Sequence, residues 1–256
     1  MILGASSGFG EACALELASF GMDIFGVHLD RKGTIANVDR ITSEIKAKGR
    51  QAIFFNVNAA DAEKRKGVLD EMEKTLSAGG AGVRVLIHSL AFGTLKPFIA
   101  GSPNEAIAQP QMEMTLDVMA NSLVYWTQDL VARGVLSEGG RVFAMTSAGG
   151  ARVWRSYGAV SAAKAALESH VRQLALELGP KGVAVNAIRA GVTDTPALRK
   201  IPGHEEMIKM ASARNPMGRL TTPEDVAGAI ALFSHPKAQW ITGNVIGVDG
   251  GEFIVD

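Results

Sequence analysis

The feature that most restricts the fold is a rhythm: short apolar runs of strand type alternate with longer helical patterns along the chain. The runs are Asp23 to His28, Gln51 to Val57, Val83 to Ser89, Arg141 to Thr146, Val183 to Arg189 and Asn244 to Val248. Such alternation builds βαβ units, whose crossover helices cover both faces of a parallel sheet. The run Val83-Arg84-Val85-Leu86-Ile87 is mostly continuous rather than alternating, as a strand covered on both faces must be. The prediction is an α/β chain: a doubly wound parallel sheet of about seven strands with helices on both faces. With 256 residues, 47% of them hydrophobic, the chain can bury one large core, so residues 1–256 are expected to form one domain.

Composition narrows the function. The 26 Lys and Arg balance the 26 Asp and Glu, and basic residues cluster no further than pairs such as Arg31-Lys32 and the single triplet Lys64-Arg65-Lys66. Nothing there builds an electrostatic footprint for nucleic acid or anionic lipid, and small-molecule chemistry fits better. Cys13 is the only cysteine, which rules out an internal disulfide and a cysteine-rich metal site, and its apolar surroundings read as core. No segment approaches the roughly eighteen apolar residues of a membrane span, and no signal peptide is evident at the N-terminus, so the expected location is the cytoplasm. The glycine loop begins at Gly4, leaving only Met1-Ile2-Leu3 for the preceding strand, and this predicts native residues upstream.

That loop, Gly4-Ala5-Ser6-Ser7-Gly8-Phe9-Gly10, opens an Ala- and Leu-rich helix whose free N–H groups suit a pyrophosphate. A glycine triplet alone is weak, but its strand–loop–helix setting is the one that gives it meaning. The spacing Gly-x3-Gly-x-Gly resembles the short-chain dehydrogenase/reductase superfamily, and the resemblance extends through nearly the whole chain. Asn56-Val57 looks like that family's adenine-binding step, and Asn186-Ala187-Ile188-Arg189-Ala190-Gly191 like the turn below the nicotinamide. Gly218-Arg219 through Thr242-Gly243 to Val248-Asp249-Gly250-Gly251 is similar to its C-terminal segment. The resemblance implies a nicotinamide cofactor cradled by Gly4, Ser6, Ser7, Gly8, Phe9 and Gly10. It adds His28, Arg31, Asn56 and Val57 on the adenosine side, and Ser89, Leu90, Ala91, Lys164, Gly191, Val192, Thr193 and Thr195 towards the nicotinamide.

The choice between NADPH and NADH depends on the end of the second strand, where a carboxylate would accept from the ribose 2′-hydroxyl and repel a 2′-phosphate. His28 stands at the usual carboxylate position, with Asp30 and the basic pair Arg31-Lys32 after it. The pair favours NADPH; Asp30 leaves NADH open.

Carbonyl reduction needs a phenol that protonates the oxygen on the carbon receiving hydride, and a nearby ammonium that lowers the phenol's pKa and holds the ribose. The superfamily usually meets this with Tyr-x3-Lys. Here Lys164 has the family's surroundings, but the residue four before it is Val160, which cannot donate a proton. Tyr157 lies seven residues before Lys164, two helical turns, so a helix reaching back that far would put both on one face, offset by about 20°. Relative to the usual tyrosine site its Cα shifts by roughly 4.5 Å along the axis. In an α,β-unsaturated thioester the oxygen that becomes an enolate lies two carbons beyond the β-carbon that receives hydride, so an outward shift has a chemical use.

Tyr-x6-Lys resembles the enoyl-acyl-carrier-protein reductases of the superfamily. Ile87-His88-Ser89-Leu90-Ala91-Phe92-Gly93 is similar to their His-Ser-Ile-Gly-Phe stretch, and Ala190-Gly191 to their Ala-Gly. One position departs: many of these enzymes carry a tyrosine ten residues before the catalytic one, where this chain has Ser147. Ser147 is also seventeen before Lys164, where carbonyl-reducing relatives place a catalytic serine, so ketone reduction stays open. Asn121 falls near the family's helix-kinking asparagine; Tyr125, in Leu123-Val124-Tyr125-Trp126, reads as packing, and His88 as structural or cofactor-packing.

The resemblance thus implies Tyr157, Lys164, Ser147 and Asn121 as the catalytic group, no metal, and a substrate-covering segment around 195–215. It also implies an enoyl thioester substrate, with acyl carrier protein a candidate partner, and a homotetramer. The rivals are a carbonyl reductase or alcohol dehydrogenase and a non-catalytic nucleotide sensor of the same fold.

Overall fold

The computed structural model describes residues 1–255. Its seven strands are β1 Ile2–Leu3, β2 Ile24–His28, β3 Ala52–Asn56, β4 Val83–His88, β5 Leu136–Ser147, β6 Ala184–Ala190 and β7 Val245–Val248. All pair in parallel in the order β3-β2-β1-β4-β5-β6-β7. The order reverses between β1 and β4, and the crevice outside the carboxyl ends of strands at such a switch is where open α/β sheets bind ligands. β1 has only two residues, yet it lies between β2 and β4 with Leu3 in register with Val27 and His88.

Eight helices connect the strands: α1 Gly8–Ser19, α2 Ile35–Ala47, α3 Ala62–Gly79, α4 Gln109–Leu116, α5 Ser122–Ala132, α6 Gly158–Leu178, α7 His204–Arg214 and α8 Pro223–Phe233. Local chemistry sets their ends. Asp61 accepts from the Lys64 N–H at the start of α3, and Thr222 and Asp225 exchange hydrogen bonds around Pro223 at the start of α8. α2 turns Val38, Ile41 and Ile45 inward at helical spacing. Two apolar clusters sandwich the sheet. Leu3, Val27, Leu86 and Val142 face α3, α5 and α6, whereas Ile2, Ile24, Val85, Phe143 and Ile188 face α1, α2 and α8. Neighbouring residues of one strand, such as Ile2 and Leu3, thus feed opposite cores, which explains the continuous apolar runs.

Two irregularities bear on the site. α4 runs into α5 through a π-helical turn, Asp117–Asn121, which ends on Asn121; such turns frequently mark functional positions. Ser156 alone among the described non-glycine residues has a left-handed backbone, with φ of 59°, and it immediately precedes Tyr157. β5 starts earlier than its apolar run because Leu136 pairs with Val83 before the register shifts to Arg141 opposite Val85, a bulge that takes up residues 137–140. No helix among the described residues is long and apolar enough to cross a membrane.

Candidate active site

The glycine loop turns over the end of β1. A methyl on Gly4 would run into the Ser89 carbonyl oxygen, and one on Gly10 into the Gly4 carbonyl oxygen, so both close approaches require glycine. Ser7 is the N-cap residue of α1, yet its side chain makes no capping bond and is exposed, leaving its hydroxyl and the first N–H groups of α1 open to a phosphate. The loop is anchored behind by Asn37, whose amide donates to the Ser6 carbonyl and the Glu11 carboxylate, both at 2.8 Å. These features fit a dinucleotide pyrophosphate. Gly8 faces Thr195 on the other side, the threonine methyl lying 3.4 Å from where a Gly8 Cβ would be.

On the expected adenosine side the polar groups bond to one another. His28 is buried, and its Nδ1 meets the Asp30 carboxylate at 3.0 Å, which fixes the position of Asp30. Burial alone would raise the Asp30 carboxyl, but hydrogen bonds from Ser6, Thr34 and His28 outweigh it and hold the group below its ordinary value. Asn56 is likewise occupied: its side chain accepts from the Asp30 N–H at 3.0 Å and donates to the Asp30 carbonyl at 2.9 Å. Arg31 and Lys32 are exposed beside this loop. Ser89, Leu90 and Ala91 follow β4 directly under the glycine loop, with a Leu90 methyl 3.5 Å from the Gly4 Cβ position.

At the nicotinamide end, the turn after β6 is tied internally. The Thr193 hydroxyl donates to the Gly191 carbonyl at 3.0 Å, and the Thr195 hydroxyl accepts from the Leu198 N–H at 3.2 Å. Gly191 has Thr221 Oγ1 and the Glu252 carboxylate against it, with no room for a Cβ. Val192 donates its N–H to that carboxylate at 2.8 Å.

The candidate proton-handling residues lie on β5 and α6, where Ser147 pairs with Ala190 beside this turn. α6 begins at Gly158, so Tyr157 is the helix N-cap residue rather than a helical one; its carbonyl accepts from the Ser161 N–H at 2.8 Å. Gly149 backs the ring: a Cβ there would meet the Tyr157 ring at 2.6 Å and Ser147 Oγ at 3.2 Å, which also sets Ser147 and Tyr157 side by side. Burial pushes the Tyr157 phenol above its ordinary value and the Ser147 hydroxyl pulls it partly back. Lys164 is buried and donates to the Met145 carbonyl at 2.7 Å. Its burial pushes the ammonium down to about 8, against the pull of the Glu168 carboxylate one turn further on.

Val160, at the usual tyrosine position, is buried in hydrocarbon: its methyl and the side chains of Thr115 and Met119 crowd Gly93, each within 2.9 Å of the place a Cβ would take. Asn121 accepts from His170 Nε2 at 3.1 Å. His88 is fully buried against Ser122 at 2.8 Å with its imidazole pushed down to about 3 by burial, which keeps it neutral and structural. Tyr125 lies under the Arg65 guanidinium, 5.5 Å from ring to charge, and takes no part. Residues the sequence reading missed are Gly149, Ser156 and Glu252, whose roles arise from contacts distant in sequence or from backbone conformation alone.

Comparison with known proteins gives the same frame. A family profile described as enoyl-(acyl carrier protein) reductase matches residues 4–252. This chain belongs to that family, within the short-chain dehydrogenase/reductase superfamily. It is 30% identical to the enoyl-[acyl-carrier-protein] reductase [NADH] of a Nostoc species, over 83% of this chain and 80% of that one. It is 29% identical to the 3-oxoacyl-[acyl-carrier-protein] reductase of a Synechocystis species, over 98% of this chain and 95% of that one. The crystal structure of the enoyl-[acyl-carrier-protein] reductase (NADH) of Aquifex aeolicus superposes with a TM-score of 0.82 at 24% identity, covering 99% of this chain and 96% of that one. The protein is an NAD(P)H-dependent oxidoreductase of this superfamily.

Proposed function

We propose that the protein reduces the C=C bond of an enoyl thioester, carried by acyl carrier protein or coenzyme A. One observation carries the reading: the only phenol at the site is Tyr157, at the entrance of α6, while the place one turn before Lys164 is filled by Val160. When bound, the nicotinamide supplies hydride to the β-carbon. Lys164 holds the ribose hydroxyls, and Tyr157, displaced outward from the usual site, donates a hydrogen bond to the thioester oxygen as it takes on enolate charge. Protonation of the α-carbon follows from solvent. α7 and the turn before it cover the acyl chain, with Met207 and Met210 as adaptable contacts.

The juxtaposition of Ser147 with Tyr157 favours a second reading, reduction of a ketone, because a hydroxyl and a phenol together can bind one carbonyl oxygen. Cofactor absorbance followed with crotonyl and acetoacetyl thioesters, offered separately, decides between them. Consumption with the crotonyl thioester supports the enoyl reading, and consumption with the ketone alone overturns it. Turnover of neither, with cofactor bound, would mark a nucleotide sensor.

NADPH is the cofactor we favour, because Arg31 is exposed at the end of β2 whereas Asp30 is already engaged by Ser6, Thr34 and His28. A higher kcat/KM with NADH would assign Asp30 to the ribose hydroxyls instead. A homotetramer fits the exposure of Leu232 on α8 and Trp240 ahead of the edge strand β7, and light scattering tests it.

A further inference from the structure

On the reading proposed above α7 lies over the acyl chain, and it is held to the body mainly at its two ends. Ala211 is its only fully buried residue, so apolar packing contributes little to fixing it. Ahead of the helix, Trp154 Nε1 donates to the Pro202 carbonyl at 3.1 Å. At the helix C-terminus, Arg214 donates from Nη2 to Glu252 Oε1 at 3.1 Å, and the following Asn215 donates to the Asp249 carbonyl at 2.9 Å. The C-terminal turn that receives these bonds is itself fixed. Arg189 stacks over the Phe253 ring at 3.7 Å, and Arg152 donates to the Phe253 carbonyl at 2.6 Å.

Glu252 stands at the centre of this arrangement. Its side chain is 4% exposed, and its two carboxylate oxygens serve different elements: Oε1 takes the Arg214 guanidinium and Oε2 takes the Val192 N–H at 2.8 Å. Val192 follows Gly191 in the turn assigned to the nicotinamide end, so one buried carboxylate joins the cofactor turn to the end of the covering helix. A carboxylate held by two donors in a buried setting has little freedom to move without breaking one of them. Thr221 Oγ1, which lies against the same Gly191, and Arg214 Nε are buried without hydrogen-bond partners, so Glu252 is the group that satisfies this cluster where it is satisfied.

We propose that Glu252 is a positioning residue that couples seating of the nicotinamide cofactor at the Gly191–Val192 turn to closure of α7 over the acyl substrate. The proposal rests on the reductase reading given above. Cofactor pressing on the turn fixes the Val192 N–H, the carboxylate follows, and Arg214 carries the constraint into α7. A helix so coupled is ordered by cofactor before substrate arrives, and the acyl thioester then binds without having to order it.

Amide hydrogen exchange of residues 204–214, with and without NADPH, tests this on the whole chain. In the unmodified protein, cofactor should slow exchange across α7 by about fivefold or more, the low end of ordinary coupling between sites. Glu252→Gln keeps the volume and an acceptor for Val192 but loses the charge that holds Arg214. It should bind NADPH within about threefold of the unmodified protein, lose the cofactor-dependent slowing in α7, and raise KM for the thioester more than it lowers kcat. Arg214→Gln leaves the Glu252–Val192 bond in place, breaks only the α7 side, and should behave alike; it decides the matter if the first variant does not fold. Unchanged cofactor-dependent slowing in a folded variant would overturn the proposal. Failure of the unmodified protein to bind either nicotinamide cofactor would overturn the reductase reading instead.

Discussion

The two ends of the site are built by different means. The cofactor cradle is made of backbone: glycines where a methyl would collide with a carbonyl, an uncapped helix start, and a loop whose anchors come from the next helix. The candidate proton-handling end is made of side chains from β5, the turn after it and α6, with Tyr157 set by the left-handed Ser156 and by the absence of a side chain on Gly149. A backbone cradle tolerates drift in everything except its glycines. A side-chain constellation depends on every element that aims it, and is the part of such a fold that can change its reaction.

The comparison can be broken most decisively at Tyr157. Tyr157→Phe should lower kcat by about a thousandfold, the range for loss of a proton donor or oxyanion donor, and leave NADPH affinity within about twofold. Steady-state kinetics and cofactor fluorescence titration separate the two effects, and an equal loss in both would merge the two ends. Gly149→Ala comes next. Its methyl would push on the Tyr157 ring and Ser147 Oγ, so kcat should fall by about a hundredfold, the cost of misplacing a reacting group by about an ångström, with cofactor binding intact.

Arg31→Ala probes the cradle alone. It should weaken NADPH about tenfold, or about 1.4 kcal/mol, leave NADH unchanged, and leave kcat at saturating cofactor as it was. A last effect concerns stability. The Lys164 pKa falls from 10.5 to about 8 on folding, so the folded protein gives up a proton that the unfolded chain retains between those values. Stability therefore rises with pH from about 8 to 10.5, and the full penalty of the buried ammonium is present below 8. Lys164→Met should lose activity yet melt about 3 °C or more above the unmodified protein at pH 7, with the gap closing as pH approaches 10.5. Thermal unfolding at three pH values checks the sign.

The same contrast explains what could be read in the chain. The cradle was legible because its determinants are local: glycine spacing, a strand before and a helix after. Strand positions from Ile24–His28 to Val245–Val248 matched the apolar runs because residues on each strand feed two cores. At the tyrosine end the sequence shows a spacing but not the backbone that realises it. Tyr157 proved to cap α6 rather than lie within it, because Ser156 reverses the chain just before it, and a left-handed serine leaves no mark in a sequence. His28 occupies a ligand's usual position but turns inward to Asp30, with its ring tilted against Phe54 of the paired strand at 6.1 Å between centroids, contacts that lie outside any local sequence pattern. Glu252 was invisible because its partners, Val192 and Arg214, are 60 and 38 residues away.

The account as a whole stands on where Tyr157 can reach, and isotope placement tests that directly. Crotonyl thioester reduced with NADPH carrying deuterium at the transferable position should yield a saturated acyl product with deuterium at the β-carbon, at a rate that collapses in Tyr157→Phe. Deuterium appearing only on a carbinol carbon, from acetoacetyl thioester, with the crotonyl thioester untouched, would contradict it.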